Sequence, residues 1–111
     1  MAKKNSRSGI EEGSGNVFVD LGFANAEQEL IKAHLTLQIY KIVKARKLTQ
    51  ARAAELLGIK QPHVSLLMRN RSGSFSVERL MEFLTDLGHD IEIRVKPTRR
   101  RHGHVSVLVA S

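Results

Sequence analysis

Cysteine is absent from the 111 residues, which excludes structural disulfides and thiolate metal sites and fits a reducing cytoplasm. Aromatics are scarce: four Phe, one Tyr and no Trp. With a hydrophobic fraction of 41%, that composition suits one compact helical domain built on Leu, Ile, Val and Ala. No stretch approaches the ~18 apolar residues that a membrane helix needs. The start, Met1 to Gly15, is rich in Lys, Arg, Ser, Gly and Glu without an apolar run, so it has the composition of a disordered basic tail rather than of a secretory signal. The expectation is a soluble cytoplasmic protein.

Acids are missing in one place that matters. Between Lys41 and Arg71 the bases are Lys41, Lys44, Arg46, Lys47, Arg52, Lys60, Arg69 and Arg71, against the single acid Glu55. That segment carries as much positive charge as the whole chain, whose net charge is +7. From Ser72 to Glu92 acids dominate, and from Ile93 to Ser111 there are bases only. A phosphate backbone is one partner that accounts for such a footprint; a solvated, solubilising surface is the other reading.

Periodicity organises the rest. "NVFVDLGF", residues 16 to 23, reads as an ordered extended or turn segment. Asn25 can cap a helix that nothing breaks from Ala26 to about Lys47, as one long helix or two consecutive ones. Leu30, Ile31, Leu35, Ile39, Ile42 and Val43 give it an apolar face, with Lys32, Thr36, Lys41 and Lys44 on another. Thr49 caps a short helix from Gln50 to Leu57 that Gly58 stops. A further helix opens near Lys60 or Gln61, with Pro62 in its first turn and Val64, Leu67 and Met68 facing inward. "RNRSGSF" is a loop by composition. Ser76 then caps a helix through Leu87, with Val77, Leu80, Met81 and Leu84 on one side and Gly88 as the stop. Beyond Gly88 the period becomes two: Ile91, Ile93 and Val95 alternate with charges, Val105, Val107 and Val109 alternate more weakly, and "PTRRRHG" can join them as a hairpin loop.

The centre of the chain meets the demands of a helix-turn-helix, in which two short helices cross around a tight turn and the second enters the DNA major groove. Ala54 is the small residue at the close crossing, and Gly58 accepts the positive φ of the turn. Ala53, Leu57, Ile59, Val64 and Leu67 are spaced to anchor the unit. Lys60, Gln61, His63 and Ser65 leave the start of the second helix polar on its outer side.

These residues carry a resemblance. "LTQARAAELLGIKQPHVSLL" resembles the Cro/C1-type, or XRE-family, helix-turn-helix, whose pattern is Leu-Thr-Gln, a small residue, Leu-Gly-Ile, then Gln and Val-Ser or Ile-Ser. Leu48, Thr49, Gln50, Ala54, Leu57, Gly58, Ile59, Gln61, Val64, Ser65 and Leu67 match. More loosely, Asn16 to Lys96 is similar to the subgroup containing HigA-type antitoxins. One departure is Arg69-Asn70-Arg71, where many members of the family have Glu-x-Gly.

The resemblance implies an all-α, lambda-repressor-like domain of four to five helices over residues 16–88 (motif 49–70), with a C-terminal β-hairpin over 89–111. It implies a transcriptional repressor that binds a double-stranded operator in the bacterial nucleoid as a homodimer, and the autoregulating antitoxin of a toxin–antitoxin pair. Lys60, Gln61, His63, Ser65 and Arg69 would face base edges, although for His63 and Arg69 a phosphate contact is the competing role. Thr49 and Gln50 would bond phosphate, and Arg46, Lys47, Asn70 and Arg71 would act as phosphate clamps. Ile91, Ile93, Val95, Val105 and Val107 are the expected dimer contact. The alternative is a protein-interaction module that masks a toxin, through Val17, Phe18, Leu21 and Phe23, with DNA binding secondary. Arg99 to Arg101 read as a charged loop or a further DNA contact.

Catalysis is not expected. His34, His63 and His89 are scattered, His102 and His104 flank a glycine, and no carboxylate pair, His-Glu-x-x-His or Gly-rich phosphate loop accompanies them. No metal or cofactor is expected.

Overall fold

Residues 25–71 and 75–110 are described by the computed structural model of the chain. The expectations for the tail 1–15, for "NVFVDLGF" and for the middle of the loop at 72–74 lie outside them. Four helices are present among the described residues: α1 (Asn25–Ala45), α2 (Gln50–Leu57), α3 (Gln61–Met68) and α4 (Val77–Asp86).

The long apolar-periodic stretch is one helix, α1. Ile31, Leu35, Ile39 and Val43 recur every fourth residue and are buried. Two side-chain assignments need correction. Lys32 and Thr36 are buried with this stripe, whereas Leu30 is 58% exposed. Helix geometry explains both: the positions following Ile31 and Leu35 fall on the same broad face as Ile39 and Val43, whereas positions 30 and 37 project from the opposite side. Residue identity had suggested otherwise, and the register decides.

Both sequence-identified caps form. Thr49 Oγ1 accepts from the Arg52 N–H at 3.0 Å, and Ser76 Oγ from the Arg79 N–H at 3.0 Å. Each satisfies an N–H that would have no partner in the first turn, worth about 1 kcal/mol. The other ends share one closure. The Leu48, Ile59, Arg71 and His89 N–H groups donate back to the carbonyls of Val43, Ala54, Leu66 and Leu84. Each bond spans a residue with left-handed backbone: Lys47 (φ 55), Gly58 (φ 69), Asn70 (φ 58) and Gly88 (φ 87). Two of the four stops are glycines. The other two are not, and Asn70 resolves the departure at Arg69-Asn70-Arg71: asparagine tolerates the left-handed conformation well enough to end α3.

α4 lies against α1, α2 crosses α3, and α3 also packs on α1. Their shared core contains Ile39, Leu57, Val64, Leu67, Leu80 and Phe83, all at 2% exposure or less. Sequence spacing omits Phe83 from the apolar face of α4 and gives Leu87 only as that helix's end; both are buried, while Met81 is only partly so.

The expected C-terminal β-hairpin is not formed. Among the described residues no strand is present, and no backbone group from Asp90 to Ala110 bonds another backbone group. The chain does turn, and a Thr98 methyl lies 3.9 Å from where a Cβ would stand at Gly103. A ladder running on from that pair would set Val105 across from Lys96 and Val107 across from Arg94. The valine row and the isoleucine row would then line opposite faces, so no single apolar face would result. Val105 and Val107 pack on the helical core instead. The Val105 N–H donates to Glu27 Oε2 at 3.2 Å, and His104 Nδ1 lies 3.3 Å from the same oxygen.

Candidate nucleic-acid interface

α2 and α3 pack on each other and share one core through Ala53, Ala54, Leu57, Val64 and Leu67, while the start of α3 stays exposed. Ala53 and Ala54 are buried at the crossing, where a larger side chain would separate the helices. A Cβ at Gly58 would meet nothing within 4 Å, so the requirement there is conformational and not steric. Pro62 sits in the first turn of α3, where its missing N–H is not needed. Val64 and Leu67, both fully buried, pin α3 one turn further on.

With those two residues inward, Lys60, Gln61, Pro62 and His63 are exposed, Ser65 and Leu66 are half-buried, and Arg69 at the far end is exposed. Lys60, Gln61, His63 and Arg69 therefore project from one anchored helix. An open groove lined by Ala51, Ala54, Glu55, Gly58, Ile59, Lys60 and Gln61 runs along the turn. His63 is the most constrained of the exposed set. Its ring meets Phe75 edge-on at 6.1 Å, and Phe75 meets the buried Phe83 edge-on at 5.2 Å. This aromatic chain orients the imidazole from the core, a link that helical spacing could not reveal, since Phe75 arrives from the following loop.

The residues assigned to phosphate divide into two groups. Lys47, Gln50, Asn70 and Arg71 are exposed near the ends of the motif helices, and Lys47 and Asn70 hold the left-handed turns that aim the chain there. Thr49 and Arg46 also serve the fold: Thr49 caps α2, and Arg46 Nη1 donates to the Leu87 carbonyl at 3.0 Å. Arg52, not assigned a role from the sequence, pairs with Glu55 at 3.0 Å on the outer face of α2. That contact offsets the single acid of the basic segment beside Lys60 and Gln61.

Of the residues assigned to dimer contact, Ile91 is 36% exposed, Ile93 77% and Val95 91%, whereas Val105 and Val107 are half-buried against the chain's own core. Among the described residues no cluster of His, Asp or Glu is arranged to hold a metal ion, and no helix is long and apolar enough to cross a membrane.

This pair of short crossing helices, with a glycine turn and an exposed polar start to the second, is the arrangement of a helix-turn-helix protein. Residues 17–96 match the helix-turn-helix domain family. A solved structure provisionally named an XRE family transcriptional regulator superimposes with a TM-score of 0.71 at 40% sequence identity, over 78% of this chain and 100% of that one. No curated protein matches. The chain belongs to the XRE family of helix-turn-helix proteins.

Proposed function

We propose that the protein is a sequence-specific DNA-binding transcriptional regulator that acts as a homodimeric repressor, and that it autoregulates as the antitoxin of a toxin–antitoxin pair. One observation carries the DNA-binding part. Lys60, Gln61 and His63 stand exposed on the first turn of a helix that Val64 and Leu67 fix to the core, inside the most basic segment of the chain. Gln matches the donor and acceptor of adenine, and Lys or Arg the acceptors of guanine. Lys47, Gln50, Asn70 and Arg71 flank that helix and suit phosphate contacts, which set position without reading sequence.

Dimerisation follows from the small footprint of one recognition helix. Two half-sites about one helical turn apart double the base contacts. Support for the antitoxin role is the resemblance of Asn16 to Lys96 to HigA-type proteins.

A DNase I footprint upstream of the protein's own gene, at physiological salt with excess random competitor, tests this reading. Protection of a pseudo-palindrome with half-sites about one turn apart is the expected result. Protection that the competitor erases would leave only electrostatic binding, and toxin masking would then become the leading function.

A further inference from the structure

The segment after α4 carries two features that the helical domain does not use. From Asp90 to Lys96 its backbone has no backbone partner among the described residues, and its apolar row Ile91, Ile93, Val95 becomes steadily more exposed. An open edge with such a row is an invitation to pairing that proteins ordinarily cover. The valine segment that could have covered it is committed to α1 through Val105 and Val107.

The sequence of this edge is self-complementary. "DIEIRVK" has its acids before Ile93 and its bases after it. If two copies run antiparallel about Ile93, Asp90 of one faces Lys96 of the other, Glu92 faces Arg94, Ile91 faces Val95, and Ile93 faces itself. Every charged pair is then of opposite sign and every apolar position meets an apolar one. A shift by one residue would set the charged row against the apolar row, and a shift by two residues would set Arg94 against Arg94, or Glu92 against Glu92, on the two-fold axis. Opposite charges directly across an antiparallel ladder stabilise it and like charges destabilise it. Pro97, which has no N–H to give, ends the pairing just beyond Lys96.

We propose that residues 90–96 form an intermolecular antiparallel strand pair with the same segment of a second copy, on a two-fold axis through Ile93. The occupant of the open edge is thus another copy of this chain. This rests on the homodimer reading above and supplies its register. Two-stranded ribbons are marginal by themselves. Here each strand leaves a folded body directly, at the buried Leu87 that closes α4. A two-fold pairing would also fix the two α3 helices relative to each other, as a palindromic operator requires.

The chain contains no cysteine, so a single introduced thiol reports the register cleanly. In the full-length protein, Ile93→Cys is expected to form a covalent dimer under mild oxidation, because facing Cα atoms in a ladder lie about 4.5–5.5 Å apart, within disulfide reach. Ile91→Cys alone and Val95→Cys alone are expected not to, since each would lie more than about 12 Å from its own mate. An equimolar mixture of those two variants is expected to cross-link. Cross-linking of Ile91→Cys alone as fast as Ile93→Cys, or none by Ile93→Cys, overturns the register.

Charge reversal gives a second readout by sedimentation equilibrium. Glu92→Arg or Arg94→Glu changes two symmetry-related pairs and is expected to weaken the dimer about tenfold. The double variant Glu92→Arg/Arg94→Glu is expected to restore it. A double variant as weak as the single ones, or a wild-type chain that stays monomeric at micromolar concentration, overturns the proposal. These outcomes are separable from the operator reading. A two-half-site footprint without Ile93 cross-linking means that dimerisation uses another surface, whereas cross-linking without a footprint removes the repressor and keeps the strand pair.

Discussion

Arg46 and Leu87, the ends of α1 and α4, are joined: the guanidinium Nη1 donates to the Leu87 carbonyl oxygen at 3.0 Å. A cation at the C-terminal end of a helix meets carbonyls without intrahelical partners and the negative end of the helix dipole. Arg46 thus contributes to the packing of the two helices that carry most of the core. Replacing it with Ala is expected to lower stability by about 1 kcal/mol, since the site is partly open to solvent. Urea denaturation of the variant measures this. An unchanged midpoint with a flatter salt dependence of DNA affinity would return Arg46 to the phosphate role.

Gln61 has no described side-chain partner and stands on the first turn of α3. Gln61→Ala is expected to weaken operator binding by about 1–3 kcal/mol and to leave binding to random DNA unchanged. Parallel titrations of the two DNAs decide it. Equal loss on both would remove Gln61 from base reading.

Arg71 follows the left-handed turn at Asn70, and its own N–H closes α3 by donating to the Leu66 carbonyl at 2.8 Å. Since the fold uses its backbone and leaves its side chain exposed, Arg71→Ala is expected to weaken all DNA alike and to reduce the slope of log affinity against log salt by about 1. A loss confined to one sequence would contradict a phosphate contact.

Asn70 and Lys47 occupy backbone conformations that glycine adopts without strain. Asn70→Val is expected to cost about 1–2 kcal/mol, whereas Asn70→Gly leaves stability within a few tenths of wild type. Lys47→Gly is expected to stabilise the fold by up to about 1 kcal/mol while weakening DNA binding through the lost charge. Thermal and chemical denaturation resolve the ordering, and a Val variant as stable as wild type would mean that α3 ends differently.

Thr36 is fully buried in α1, and among the described residues its hydroxyl has no hydrogen-bond partner. A buried hydroxyl without a partner loses its hydration for nothing, so Thr36→Val, nearly the same shape, is expected to stabilise by about 1 kcal/mol. A destabilised variant would show that the hydroxyl is bonded after all.

Local chemistry and periodicity made most of the helical frame legible in the chain itself. Thr49 and Ser76 announce helix starts because a side-chain oxygen can satisfy a first-turn N–H, and Gly58 and Gly88 announce stops because glycine accepts positive φ. The exposed start of α3 followed from residue type, since the polar run Lys60, Gln61 and His63 precedes the apolar Val64 and Leu67 that anchor the helix. What depended on contacts between distant residues was not legible. Lys32 and Thr36 are buried because α1 is covered over a wide arc, which residue type does not disclose. Arg46 turns to Leu87 and His63 meets Phe75 only once the helices have packed.

The alternation after Gly88 shows the boundary most clearly. Sequence by itself determined that residues 91–95 have an apolar row and a charged row, because a period of two depends only on the pleat of an extended chain. Tertiary structure alone decided that the valine segment would not pair with them: packing Val105 and Val107 on the core, with the Val105 N–H bonded to Glu27, occupies the partner that a hairpin needed. A strand's pattern is local, but its partner is chosen by whichever surface is left to bury.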